Sequence, residues 1–231
     1  MNTIISYDIA VDKLFGIVPS VVGFLGYLYL NRELEGIQSK KLAMNSTAFI
    51  HTAYTSILGY FKNIPLVRIN SGGYFLFDMY YLLVNRKLDL LRGMYLYHHC
   101  ASLYYMSLSP IKHYWLQSIA SIEFANLPNY IVYYYLKKKE QFALTMKKSG
   151  NSVINLKPYD RRINFWKRYQ AVSYTIFRWV FGSYYLYKET TIDGEFNMDR
   201  FKTILPVIPV YFMGLLWSGF MVKDTLKLKD K

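Results

Sequence analysis

The sequence predicts an all-α, polytopic membrane protein: a bundle of about seven transmembrane helices, with the N-terminus lumenal or exterior and the C-terminus cytosolic. Three observations predict it. Apolar residues make up 53% of the 231-residue chain and aromatics 19%, while charged residues reach only 19%, below the roughly 25% usual in soluble domains. Long apolar stretches recur, separated by short charged clusters. The basic residues alternate between those clusters as a spanning topology requires. Mean hydropathy is only +0.08, but 24 tyrosines depress that scale, and Tyr sits well at bilayer interfaces and in helix bundles.

The stretches follow in order. Leu14–Leu30 carries no charge. Asp8 and Asp12 precede the first lysine, and no small-residue cleavage site follows Leu30, so this segment reads as a retained anchor and not a cleaved signal. Next come Leu42–Phe61, Ile69–Val84, Gly93–Ser109, His113–Leu136, Phe165–Tyr187 and Phe201–Val222. Each approaches the roughly 17–25 residues of a spanning helix, the third and fourth at the short end. Six spans remain an alternative if the third is re-entrant. Opposite the aliphatic positions stand Tyr, Phe, Gly and Ser, where a soluble helix would present charge. Pro128, Pro206 and Pro209 each remove a backbone donor and mark places for a bend.

The formal charge of +13 would by itself suggest nucleic acid, but its distribution does not. Seven spans place segments 31–41, 85–92, 137–164 and 223–231 on one side, with eighteen Lys and Arg, against six in 1–13, 62–68, 110–112 and 188–200. The first group is therefore cytosolic. The predicted partners are the lipid bilayer and membrane lipids, not nucleic acid. A lone cysteine, Cys100, excludes a disulfide scaffold.

Ionisable groups in hydrocarbon are costly and need a reason. The spans hold His51, Asp78, His98, His99, Glu123 and Arg178, with Asn126 as a neutral companion. At helical rise, Asp78 lies about 12 Å from Arg86, His99 about 10 Å from Arg92, His51 about 15 Å from Lys41 and Asn126 about 16 Å from Lys137. Glu123 and Arg178 fall about 20 Å in. All occupy one slab between the cytosolic interface and the bilayer centre, which points to a functional cavity. Neutral imidazoles can move protons or attack a thioester carbonyl, and Asp78 or Glu123 can hold a tautomer and stabilise the imidazolium. His51, Asn126 and Arg178 are candidates for substrate binding. Interhelical hydrogen bonding alone is the plainer account, worth about 0.6–2 kcal/mol per bond. The histidines form no zinc-ligand pattern, so no metal is predicted.

The stretches N-S-T-A-F-I-H (45–51), S-G-G-Y-F-L-F-D (71–78), Y-H-H-C-A-S-L-Y-Y-M-S (97–107), I-E-F-A-N-L-P-N (122–129) and F-R-W-V-F (177–181) resemble the TLC-domain family, which includes ceramide synthases and translocating-chain-associated membrane proteins. The resemblance divides the chain into an anchor helix and cytosolic linker (1–40), a TLC-like transmembrane domain (41–222) and a basic cytosolic tail (223–231). It implies a multi-pass protein of endomembranes, such as the endoplasmic reticulum, concerned with lipids. His98 and His99 would be nucleophile and base, with acyl-CoA as co-substrate and no bound cofactor. The chain departs from the ceramide synthases, which carry a further His-Asp pair and a second Asp three residues on; Glu123 and Asn126 stand there instead. That form is more like the other branches of the family. Two readings follow: a histidine-dependent acyl transfer or lipid-remodelling activity, with Arg178 holding an acidic group, and a non-catalytic lipid-binding protein using the same cavity.

Overall fold

The computed structural model describes residues 2–85, 89–107, 113–149, 155–192 and 194–228. Arg86 and Lys87 of the second basic segment, and the last three residues of the tail, lie outside them. The described chain is all-helical, apart from one hairpin of two-residue strands, and the described part of each of the seven apolar stretches falls on its own helix; Leu108 and Ser109 of the fourth stretch lie outside the described residues. The first two are α1 (Asn2–Ile37) and α2 (Lys40–Tyr60). Helix α3 runs through Ile64–Val67, a wide π turn at Arg68–Gly72, and Gly73–Asn85. It is about 33 Å long at helical rise. Helices α4 (Leu90–Ser107) and α5 (His113–Lys148) follow. Helix α6 comprises Lys157–Tyr174, a second π turn at Thr175–Phe181, and Gly182–Thr190. Helix α7 comprises Met198–Ile204, a tight turn at Leu205–Val207, and Ile208–Leu226.

Local chemistry explains the boundaries. Asn63 caps α3, accepting from the Leu66 amide, and Asn197 caps α7, accepting from the Arg200 amide; each satisfies an otherwise orphaned donor. Strands β1 (Thr191–Ile192) and β2 (Glu195–Phe196) pair antiparallel between α6 and α7. Gly194 takes φ +89° in their turn, a conformation that only glycine adopts without strain. Pro128 is fully buried inside α5 without interrupting it.

Several segments read as connections are helical: 2–13 and 31–37 belong to α1, 137–148 to α5 and 157–164 to α6. Residues 137–148, taken as connection, continue α5 for three further turns. The run KKKEQFALTMKK is rich in good helix formers. The extension packs on the start of α6, where Phe142 meets Tyr159 at 5.6 Å, Arg162 lies over the Tyr135 ring, and Lys139 pairs with Asp160.

Neighbouring helices pack in the order α2, α5, α6, α7, α4, α3, which closes a ring, and α1 lies against α2 and α3. The α1–α3 crossing is a backbone contact. A Cβ at Gly23 would sit 1.9 Å from the Ile69 carbonyl oxygen, and one at Gly73 only 2.3 Å from the Gly23 carbonyl carbon. The buried apolar cluster draws Tyr27 from α1, Ala48 from α2, Val67, Phe75 and Phe77 from α3, Tyr105 and Met106 from α4, Leu116 from α5 and Ile204 from α7. By length and composition, one helix among the described residues is long and apolar enough to cross a membrane, Met198–Leu226, with mean hydropathy 1.7.

Candidate functional site

A cavity of about 470 Å³ lies inside the ring, and His51, Asp78, His98, His99, Glu123, Asn126 and Arg178 all line it. Five helices, α2 to α6, supply them. The remaining wall is mainly aromatic and aliphatic, including Tyr74, Phe75, Met94, Trp217 and Met221.

Asp78 and Phe75 sit one turn apart on α3 and together hold His99. The His99 Nε2 lies 2.8 Å from the Asp78 Oδ2, and its ring stacks on Phe75 at 5.0 Å. The other nitrogen, Nδ1, is buried with no hydrogen-bond partner among the described residues. His98, about 100° further round α4, is half-buried against the cavity, its ring 5.2 Å from that of His99. The two histidines are thus unequal: one is fixed by a carboxylate and the other presents its ring to the cavity.

Glu123 does not orient either histidine. Its Oε2 accepts from the Thr52 hydroxyl at 2.9 Å and from the Asn126 amide at 3.3 Å. The spacing of Glu123 and Asn126 puts both on one face of α5. The Asn126 Oδ1 in turn accepts from the Tyr174 hydroxyl at 3.2 Å and from the Arg178 Nη2. Asn126 therefore joins an acid on α5 to a cation on α6 without direct contact between them. Arg178 sits in the second π turn, the kind of widened turn often found at functional sites. Its guanidinium lies 4.2 Å from the centre of the Tyr174 ring, and Nη1 reaches the Gly214 carbonyl at 3.4 Å. Nε has no partner among the described residues, and the side chain is only 8% exposed.

His51 is 1% exposed, its ring stacked flat on Tyr74 at 3.9 Å. Neither ring nitrogen has a partner among the described residues. The first π turn secures this region: Asn70 donates to the His51 carbonyl at 3.1 Å and to the Thr55 hydroxyl at 2.7 Å, and accepts from Tyr27.

Several site residues escaped the sequence reading. Thr52 and Tyr174 complete the Glu123–Arg178 relay; Tyr174 stands one turn before Arg178 on the same face, a signal available from spacing. Glu189 lines the opposite end of the cavity, accepting from the Tyr105 hydroxyl at 3.4 Å. It was read as part of a connection because it adjoins the polar T-T-I-D-G turn. Among the described residues, no group of three or more His, Cys, Asp or Glu side chains is placed to hold a metal ion.

No family model matches this chain, and neither a curated protein nor a solved structure matches it.

Proposed function

We propose that this chain is a multi-pass protein of endomembranes whose seven helices span the bilayer and whose central cavity acts on membrane lipids by acyl transfer. The observation that carries the reading is an inverted distribution of polarity. His51, Thr52, His99, Glu123, Gln170, Ser173 and Arg178 are buried, while Val22, Leu25, Ile57, Trp179, Val180, Leu216 and Phe220 are exposed. Only 11% of the apolar window of α7 is buried. A protein in water rarely leaves contiguous apolar faces of this extent uncovered, whereas a bilayer covers them and penalises outward-facing charge. The alternation of basic segments supports a cytosolic C-terminus. The TLC-like motifs support an endomembrane location.

In this reading His98 is the base. The hydroxyl or amine of an acceptor lipid attacks the carbonyl carbon of an acyl thioester such as acyl-CoA. A new C–O or C–N bond forms and the C–S bond breaks; His98 takes the acceptor's proton and returns it to the departing thiolate. His99, held by Asp78, packs its ring beside the His98 imidazolium at 5.2 Å. Arg178 and Asn126 bind the polar part of the substrate, with His51 at the cavity floor.

The test is turnover of a labelled acyl-CoA by the purified chain in vesicles of mixed cellular lipids. Label should move to lipid, and His98→Ala should lower the rate about 100-fold or more, as loss of a general base does. Activity unchanged in a His98→Ala, His99→Ala double variant sinks the catalytic role. One observation favours the second reading, a lipid-binding protein without turnover: the free nitrogens of His51 and His99 are sealed from the cavity surface. Under that reading lipid co-purifies with the chain and no label moves.

A further inference from the structure

The outward face of α6 changes character along its length. At about 100° per residue, Lys157, Arg161, Phe165, Arg168 and Val172 fall within about 80° of arc, and all five are exposed. Ile176, Trp179 and Val180 continue the exposed face through the second π turn. The other face is buried: Ile163, Gln170, Ala171 and Tyr174 pack inward, and Tyr174 and Arg178 line the cavity. The exposed stripe is thus chiefly basic where the helix begins and apolar beyond Arg168. Residues 157–172 contain one acid, Asp160, and it turns to α5, where it pairs with Lys139. The stripe itself carries no negative charge.

Depth matches a phospholipid. Phe165 begins the sixth apolar stretch, so in the membrane-spanning reading it marks the edge of the hydrocarbon. Arg161 stands about 6 Å outside that edge and Arg168 about 5 Å inside it. The headgroup layer is roughly 5–8 Å thick on each side. Arg161 therefore falls within it, and Arg168 reaches it by extending its side chain outward. A guanidinium pairs with a phosphate through two parallel hydrogen bonds, and basic residues at this level attract anionic headgroups.

We propose that the outward face of α6 binds an anionic glycerophospholipid of the cytosolic leaflet. Arg161 holds the headgroup phosphate, with Lys157 and Arg168 beside it, and an acyl chain lies along Phe165, Val172 and Ile176. The proposal rests on the reading of the bundle as membrane-spanning. Its occupant follows from charge and polarity together. Phosphatidylcholine also offers a phosphate, but its trimethylammonium brings a positive charge that the basic residues disfavour. A soluble acidic partner would match the charge and leave Phe165 and Val172 uncovered. The lipid sits behind the cavity wall, on the helix whose inner face carries Tyr174 and Arg178.

The test places the full chain in phosphatidylcholine vesicles containing a small share of a photoreactive lipid with a diazirine in one acyl chain. That lipid is either phosphatidylserine or phosphatidylcholine, and adducts are mapped by peptide mass spectrometry. The ratio of phosphatidylserine to phosphatidylcholine adducts on the α6 segment bearing Val172 and Ile176 is compared with the ratio on Phe212 and Phe220, exposed on α7. The α6 ratio should be the larger by about fivefold, the worth of one basic residue near an anionic headgroup. A Lys157→Gln, Arg161→Gln double variant should bring it down to the α7 value. Equal ratios on the two helices in wild type mark diffuse surface charge and overturn the proposal, and so does an α6 preference that survives the double substitution. The wild-type map decides the matter if the double variant fails to fold. Release of the chain from vesicles by alkaline carbonate would instead defeat the membrane reading beneath it.

Discussion

Replacing Gly23 by alanine should destabilise the bundle, whereas the same change at Gly26, three residues later on α1, should not. At Gly23 the new Cβ would lie 1.9 Å from the Ile69 carbonyl oxygen and 2.9 Å from its carbon, both backbone atoms of α3. An ordinary carbon–oxygen contact is over an ångström longer, so α1 must move off α3 and pull the Gly73 crossing apart. Overpacking of this kind costs up to about 3 kcal/mol. Alanine returns about 1 kcal/mol through its better helix propensity. The net loss of about 2 kcal/mol corresponds to a fall of roughly 4–8 °C in Tm for a chain of this size. At Gly26 nothing lies within 4 Å, so only the propensity gain acts and Tm should rise by about 2–4 °C. The assay is thermal unfolding of the detergent-purified proteins, followed by tryptophan fluorescence. Equal stability of Gly23→Ala and Gly26→Ala would refute the backbone crossing and with it the placement of α1 against α3.

Three further outcomes follow from named contacts. Asn126→Leu takes one hydrogen-bond partner each from Glu123, Tyr174 and Arg178 at once and should cost about 2–4 kcal/mol, read as a lowered Tm, because buried polar groups lose partners without regaining water; a loss below 0.5 kcal/mol would show that the relay is not a structural unit. Asp78→Asn keeps the shape and removes the charge opposite His99, so thioester turnover should fall about 10- to 100-fold, the worth of a charge-assisted hydrogen bond, with the fold's circular dichroism unchanged; full activity in the variant would remove His99 from the chemistry. Asp160→Asn breaks the Lys139 pair on the α5–α6 extension, but both side chains are partly exposed, and Tm should shift by no more than about 2 °C.

The helices and the cavity were legible for the same reason. A polar group in an apolar segment is conspicuous, and its cost forces it inward; seven such residues therefore had to meet if the apolar stretches formed one bundle. The partners were not legible, because spacing says which residues share a face but not which neighbouring helix that face meets. Glu123 was expected beside a histidine, yet Thr52 and Asn126 take its hydrogen bonds. The reach of α5 past Leu136 was missed because hydropathy ends there while helix propensity does not. Glu189 was hidden by the polar turn after it. Among the described residues, hydropathy singles out α7; α2 to α6 carry the Tyr, His, Thr and Asn that line the cavity and the interhelical contacts.

Whether the cavity holds a lipid is the point on which both functional readings depend. Native mass spectrometry of the detergent-purified chain tests it, comparing wild type with His98→Trp, whose larger ring narrows the cavity from α4. Wild type should carry a lipid adduct that survives collisional removal of detergent, and a folded His98→Trp should carry clearly less of it. Equal lipid occupancy in both proteins, or none in wild type, would rule out the cavity as a lipid site.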